Sequence, residues 1–480
     1  MMSPEAVAVN LARRGGWPGS LSVLTLLATG VAGCAHIPQV PEPVATSTAA
    51  EIQVQGARGA LSPRSTAAVL KRLAAQAPDT GALQRHLVIE QSIAGSPLYT
   101  GNHITVLRDG PATFAATFGA MRQARHYLYL EYYIFEEVSC DGEQLSDLLI
   151  ARHQQGVQID VMYDGIGSMS TPAALFERLR SAGIRVREFN PIRSSPLSIN
   201  DRDHRKILIA DGQQALIGGV NLSRDYERGS GSGPSDSDAD ESRAAKPAAA
   251  QEPWHDVDLQ IDGPAVSELK HLFEQHWLSQ GGEREELAAD DGTPGARGDE
   301  VVRILGSIGG QLTPHYYATL ISAIRSAATH VWVTASYFVP THQEHRALKR
   351  AARAGVDVRL LLPSHSDSAP ALAAQQSHYA DLLASGVKIY ERDDGILHSK
   401  TVVVDGVWSI VGSSNFDHRS VLFNDEVDAV VISGTTGTQL EQYFQQDLQH
   451  ATAIDREQWQ HRAFTRKLRE RFWRLWEQWL

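Results

Sequence analysis

The chain has 480 residues, 42% of them hydrophobic and 21% charged, an ordinary globular make-up with room for two or three domains. A formal charge of −12 argues against a protein whose main task is gripping phosphate backbones, so nucleic acid is not expected as a partner. With only two cysteines, Cys34 and Cys140, a disulfide framework is excluded.

Residues 1–34 combine Arg13 and Arg14, an apolar run over 21–32 and a small-residue end, the three-part layout of a secretory signal. The run is shorter than the roughly 20 apolar residues needed to span a bilayer. Val31-Ala32-Gly33-Cys34 resembles the bacterial lipobox, whose cysteine is lipidated and becomes the mature N-terminus. That resemblance implies a lipid anchor at Cys34 on the periplasmic side of a bacterial envelope, inner or outer membrane left open; an ordinary signal peptide or an uncleaved anchor is the alternative. Residues 35–92, rich in Ala, Pro, Ser, Thr and Gln, read as a tether with a short helix near 65–76.

From residue 93 the chain repeats itself. Phe114, Phe118 and Met121 share one helix face, and Tyr317, Ile321 and Ile324 do the same 203 positions later. The runs "HYLYLEYYIF" and "HVWVTASYFVP" follow, then "GVQIDVMYDG" and "GVDVRLLLPS", then "AGIRVREFN" and "SGVKIYERD". Apolar β-branched runs alternating with helical stretches predict an α/β fold of two lobes, 93–280 and 301–451, joined by a linker over 281–300. Each lobe is expected to be a mostly parallel sheet flanked by helices. The insert 229–253 has nothing apolar larger than Ala or Pro and is expected to be disordered. Glu131, Tyr132 and Tyr133 read as strand core and lobe interface, and Cys140 as a small packed side chain.

One phrase is written twice, "HRKILIADGQQALIGGVN" from His204 and "HSKTVVVDGVWSIVGSSN" from His398. Strand alternation puts His204 and Lys206 on one face, and likewise His398 and Lys400, so a base and a cation converge. Gly218-Gly219 and Gly412-Ser413 allow a tight turn and close approach to an anion, and Asn221 and Asn415 offer amide donors, so the set predicts a phosphate cradle. Asp211 and Asp405 read as braces for the turn after each strand. A single match to this spacing arises readily by chance; two with identical downstream spacing do not.

The doubled His-x-Lys-x4-Asp pattern followed by Gly-[Gly/Ser]-x-Asn resembles the phospholipase D superfamily over residues 93–451. The stretches "INDRDHRKILIADG", "WHDVDLQIDGPAV" and "SNFDHRSVLFNDE" look most like bacterial cardiolipin synthases. The resemblance implies one active site at the lobe interface, working without metal or cofactor. His204 would attack phosphorus to give a phosphohistidine while His398 protonates the leaving alcohol, although symmetry also permits the reverse. Lys206, Lys400, Asn221 and Asn415 would bind the nonbridging oxygens. Family members place an acid behind each histidine; aligning "NDEVDAVVISG" with "HDVDLQIDG" suggests Glu426 behind His398 and Asp256 behind His204, with Asp225 or Glu227 as alternatives in the first lobe.

Residues 452–480 set Phe464, Leu468, Phe472, Leu475 and Trp479 at helical spacing among Arg462, Arg466, Lys467, Arg469, Arg471 and Arg474. Such an amphipathic helix lies in an anionic membrane interface or packs its stripe on the second lobe. The leading functional reading is a phosphatidyltransferase that makes cardiolipin from phosphatidylglycerol, with phosphatidylglycerol or phosphatidylethanolamine as second lipid. The alternatives are a phospholipase D that hands the intermediate to water, a nuclease, and a non-catalytic scaffold. Phospholipids in a membrane are the expected partners, and oligomeric state is left open.

Overall fold

The computed structural model describes residues 37, 39–40, 52–191, 200–227, 253–289, 292–311 and 314–477. Cys34 and the signal-like segment, the insert apart from Pro253, and Trp479 lie outside the described residues.

Among the described residues, two helices precede the first lobe, α1 (Pro63–Ala74), capped by Ser62, and α2 (Thr80–Ile93), capped by Asp79. The stretch read as a tether is therefore docked here: Glu90 of α2, fully buried, pairs with Arg303 at 2.8 Å and accepts from the Trp408 indole at 3.2 Å. A carboxylate with no contact to water needs such partners.

The first lobe contains β1 (Leu98–Arg108), α3 (Asp109–Gln123), β2 (Tyr127–Tyr132), α4 (Leu145–Gln154), β3 (Gln158–Asp164), α5 (Ala173–Ser181) and β4 (Arg185–Phe189). It continues through β5 (Arg202–Asp203), β6 (Lys206–Ala210), β7 (Gln214–Gly218), β8 (Trp254–His255), β9 (Val257–Asp262) and α6 (Val266–Ser279). The second lobe repeats the plan with β10 (Glu300–Ser307), α7 (His315–Ser326), β11 (His330–Thr334), α8 (His342–Arg353), β12 (Asp357–Pro363), α9 (Ala369–Ala384) and β13 (Lys388–Arg392). Then come β14 (Ile396–Leu397), β15 (Thr401–Val404), β16 (Trp408–Gly412), α10 (His418–Leu422), β17 (Asn424–Ile432) and α11 (Gly434–Asp447). Two helices close the chain, α12 (Arg456–Gln460) and α13 (Phe464–Arg474).

Hydrogen-bonded neighbours run β1, β9, β7, β6, β2, β3, β4 in one lobe and β10, β17, β16, β15, β11, β12, β13 in the other. The order is the same, and β1 pairs with β10 to make the two sheets continuous. The α/β class and the two matching lobes agree with expectation, but the sheets are mixed rather than mostly parallel. Within these two strand orders, as described, the β2–β3–β4 and β11–β12–β13 steps are parallel and the others antiparallel. The cause is local: each motif strand returns at once as a hairpin through Asp211 or Asp405, which take positive φ of 50° and 55°. Because both faces of these strands are covered, their apolar runs lack the alternation that marks an antiparallel strand with one wet face.

The shared core decides where the site lies. Val266, Leu269, Phe273 and Trp277 of α6 pack with Ile207 and Ile217 of the first sheet and with Val403, Val411 and Val427 of the second, all buried. Apolar burial of this kind, about 1.5–3 kcal/mol per large side chain, locks the lobes together so that both motif strands end at one seam.

Candidate active site between the lobes

Two short ladders cross the seam. β5, just before His204, runs parallel to the start of β17, pairing Arg202 with Asn424 and Asp203 with Asp425. β14, just before His398, pairs in the same way with β8, Trp254 with Ile396 and His255 with Leu397. Backbone bonds continue both ladders into the histidines, His204 N–H to Asp425 O at 2.9 Å and His398 N–H to His255 O at 2.8 Å. Each ladder thus delivers the next residue of the opposite lobe, Glu426 or Asp256, to the adjoining histidine.

The result is an exchange of partners. His204 Nδ1 lies 2.9 Å from Glu426 Oε2, and His398 Nδ1 lies 2.7 Å from Asp256 Oδ2. The pairing expected from alignment, Glu426 with His398 and Asp256 with His204, is corrected: each carboxylate serves the other lobe's histidine. Neither Asp225 nor Glu227 takes that place, and the Glu227 carboxylate accepts instead from Ser139 N–H at 3.1 Å. With both Nδ1 atoms committed, the Nε2 atoms are the ones left for chemistry.

The two carboxylates differ in their support. Glu426 also accepts from Ser413 Oγ at 2.5 Å, Ser420 Oγ at 2.7 Å and Asn424 Nδ2 at 3.1 Å. Burial alone would raise its pKa, but the His204 ring, Lys206 and the Ser413 hydroxyl together hold it below the usual value. Among the described residues, the hydrogen-bond partners of Asp256 besides His398 come down to the Val257 N–H at 2.9 Å, and burial, partly offset by Lys400, pushes it up to about 7. Burial also lowers both histidines, His398 furthest, with Lys400 and Lys206 adding repulsion.

Lys206 and Lys400 are buried behind the rings rather than on the cleft wall. Lys206 Nζ donates to His204 O at 2.6 Å, and Lys400 Nζ lies 2.8 Å from His398 Nδ1 and 3.2 Å from its Nε2. Burial brings them to about 7 and about 8. Ser413, expected to touch phosphate, spends its hydroxyl on Glu426. Gly219, its counterpart, has a different reason to be small, because a Cβ there would lie 2.2 Å from Asp256 Oδ1. Asn221 and Asn415 do line the cleft, each anchored through its amide oxygen, by Ile134 N–H at 3.1 Å and Ser336 Oγ at 2.7 Å. Asp211 accepts from the N–H groups of Arg125, His126 and Tyr127, and Asp405 from those of Ala328, Thr329 and His330, so both pin the turn to the start of the neighbouring strand, away from the histidines.

Several site residues escaped the sequence reading. Tyr226 OH is 2.9 Å from His398 Nδ1, at the repeat position of Ser420, which serves Glu426. Asp258 and Asp428, two residues beyond each partner acid, hold the small-residue turns by accepting from Val220 N–H at 3.0 Å and Ser414 Oγ at 2.6 Å; burial brings both to about 8. Their signal was present in the matching "DVD" and "EVD". Behind the seam, His276 bridges Glu131 at 2.7 Å and Asp425 at 3.1 Å, and burial is outweighed by these acids, which raise it to about 10. Glu131, Asp203 and His276 come within metal-binding range of one another, but Arg205, 3.3 Å from Glu131, and Asp425, 3.1 Å from His276, already pair with its members, which makes it an ion-pair clamp.

His204, His398, Asn221 and Asn415 face one cleft of about 380 Å³, walled by Tyr133, Trp254, Tyr337, Arg202 and Arg419. A larger groove of about 980 Å³ lies beside α1; among the described residues that line it, Lys71 is the sole charged one, and none is an acid, base or nucleophile suited to chemistry. The smaller cleft is the site, because there two bases, two amides and two guanidinium groups converge, as a phosphodiester anion requires.

A family model described as "Cardiolipin synthase, PLD-like domain" matches residues 118–230 and 320–448. The chain is 34% identical over 401 residues to a cardiolipin synthase of Geobacillus kaustophilus, spanning 80% of this chain and 73% of that one. It is 35% identical over 398 residues to one of Geobacillus thermodenitrificans, with the same coverage, and 30% identical over 395 residues to cardiolipin synthase 1 of Bacillus cereus, covering 80% and 74%. Among solved structures, phosphatidylserine synthase of Haemophilus influenzae superposes with a TM-score of 0.61 over 82% of this chain and 100% of that chain; at 12% identity this likeness speaks to the fold.

Proposed function

The chain belongs to the cardiolipin synthase family of phospholipase D-like proteins, and from that premise we propose that it is a phosphatidyltransferase that joins two phospholipids into cardiolipin. The observation that carries the reading is the pair of crossed His–carboxylate couples, His204 with Glu426 and His398 with Asp256, facing one cleft.

In the proposed mechanism His204 Nε2 attacks the phosphorus of a phosphatidylglycerol, forming an N–P bond as the P–O bond to the head-group glycerol breaks. That glycerol leaves with a proton from His398 Nε2. The hydroxyl of a second phosphatidylglycerol then gives its proton to His398 and attacks phosphorus, releasing His204; in a variant of the reaction phosphatidylethanolamine is the donor in the first step and ethanolamine is the alcohol that leaves. Glu426, held anionic, keeps the Nδ1 proton on His204 and stabilises the cation the ring becomes. A bound phosphodiester adds negative charge between the rings, which offsets the burial that depresses His398 and lets it carry the proton it must donate. Asn221 and Asn415, with Arg202 and Arg419, are proposed to hold the nonbridging oxygens. Lys206 and Lys400, behind the rings, supply positive potential to the same charge.

The sequence features of residues 1–34 support a further part of the proposal, lipidation of Cys34 and attachment to the periplasmic side of a bacterial envelope. Among the described residues, no helix is long and apolar enough to cross a membrane. Mass spectrometry of lipids after incubating the protein with phosphatidylglycerol vesicles tests the activity. Cardiolipin, absent with His204→Ala, is the expected product; phosphatidic acid alone would mean hydrolysis, and no lipid change would remove the reading. Metabolic labelling with a fatty acid, lost in Cys34→Ala, tests the anchor.

A further inference from the structure

The C-terminal helix is packed inside out. Of the seven strongly exposed large hydrophobic residues among those described, five lie on or just after α13: Phe464, Leu468, Phe472, Leu475 and Trp476, 47–76% exposed. On a helix these positions form a single stripe. The opposite, polar face is the one turned inward. Glu470, 1% exposed, is gripped by Arg462 at 2.9 Å and Arg466 at 3.6 Å. Both guanidinium groups stack 4.8 Å from the Trp459 ring, which packs on Tyr379 of α9. Glu477 closes the contact on buried His378 of α9 at 3.2 Å. The orientation is therefore set by specific polar bonds, and the apolar stripe has no part in them.

At 100° per residue, Arg469 flanks one edge of the stripe and Lys467, Arg471 and Arg474 flank the other, while the acids of this stretch, Glu470 and Glu477, point inward. The outward face is thus apolar and cationic within a chain of net charge −12. It also adjoins the site: α9, on which α13 rests, is capped by Ser368, which with Ala371 and Asp417 lines the cleft, and the Glu477 charge is felt at His418, the residue after Asp417.

We propose that the outward face of α13 docks the enzyme on an anionic phospholipid surface, its aromatic and aliphatic stripe in the acyl boundary and its flanking cations on lipid phosphates, beside the catalytic cleft. The choice of a lipid surface rests on the proposed activity. It differs from the anchor at Cys34, which would tether the chain without orienting the cleft. Basic amphipathic helices bind such interfaces by apolar area plus charge attraction.

Hydroxyl-radical footprinting of the full chain, with and without vesicles, reads this helix alone and is blind to any N-terminal anchor. On phosphatidylglycerol vesicles, oxidation of Phe464, Phe472 and Trp476 should fall about threefold or more, and less on phosphatidylcholine. Arg469→Glu with Arg471→Glu should erase the difference between the lipids, and Leu468→Asp should remove the protection while turnover of a soluble short-chain lipid persists. Unchanged oxidation, equal protection on both lipids, or protection that grows with protein concentration without vesicles would overturn the proposal. Turnover followed in the same samples separates the two readings: protection without turnover condemns the activity, and turnover without protection condemns the docking.

Discussion

The two halves of the site share one plan and differ in how their acids are held. Behind His204, Glu426 is ringed by Ser413, Ser420 and Asn424 and stays charged. Behind His398, Asp256 has, among the described residues, a single backbone donor and sits near 7, with Tyr226 and Lys400 crowding the same ring nitrogen. A repeat can thus keep its skeleton while small changes, Gly219 for Ser413 and Tyr226 for Ser420, turn two equal bases into an unequal pair. A permanently charged partner suits the histidine that must become a cation at phosphorus. A weakly charged one suits the histidine that must give its proton away.

The largest effects should come from breaking each half in turn. His204→Ala and His398→Ala should each cost about 10⁴-fold with a natural lipid donor. A donor with a nitrophenolate leaving group should recover about 100-fold or more in His398→Ala and nothing in His204→Ala, since a good leaving group does not need an acid. Equal recovery in both would mean the halves are interchangeable. Next, Glu426→Gln should lower kcat about 10³-fold, more than Asp256→Asn, because Asp256 is already partly protonated at neutral pH; the reverse order in steady-state kinetics would contradict the comparison.

Much of this was legible in the sequence, and the part that was not has a physical reason. The doubled spacing around His204 and His398 is local, so one-dimensional reading finds it. The exchange of Glu426 and Asp256 is decided by two ladders of two residue pairs each, Arg202–Asp203 on Asn424–Asp425 and Trp254–His255 on Ile396–Leu397, too short to leave a periodic signal. Alignment matched each acid to its own lobe, whereas the chain crosses. The strand direction was misjudged because strands such as β15 and β17 are buried on both faces, and α2 was missed because the partner that holds it, Arg303, is more than 200 residues away.

Smaller perturbations sharpen the contrast. Ser413→Gly should cost about tenfold in kcat, the worth of one hydrogen bond to a charged group, without shifting His398. Gly219→Ser, whose Cβ meets Asp256 Oδ1, should disturb His398 and leave the nitrophenyl substrate turned over nearly normally. Stability should also follow the buried acids. Asp258 and Asp428 titrate near 8 in the fold against about 3.9 in the open chain. Between those values the native state binds protons that the unfolded state has released, so stability is greatest below about pH 4 for these groups and is lost as pH rises to about 8. Asp428→Asn should therefore gain thermal stability relative to the parent at pH 8 compared with pH 5, by about 2 °C or more; an unchanged difference between the two pH values would place the proton elsewhere.

The most direct test is to trap the intermediate. Rapid quench of His398→Ala with a nitrophenyl phosphatidyl donor, followed by peptide mass spectrometry, should find the phosphatidyl group on His204 and should lose it when Glu426→Gln is added. An adduct on any other residue, or one on His204 that is indifferent to Glu426 and depends on Asp256, would contradict the crossed arrangement on which the account rests.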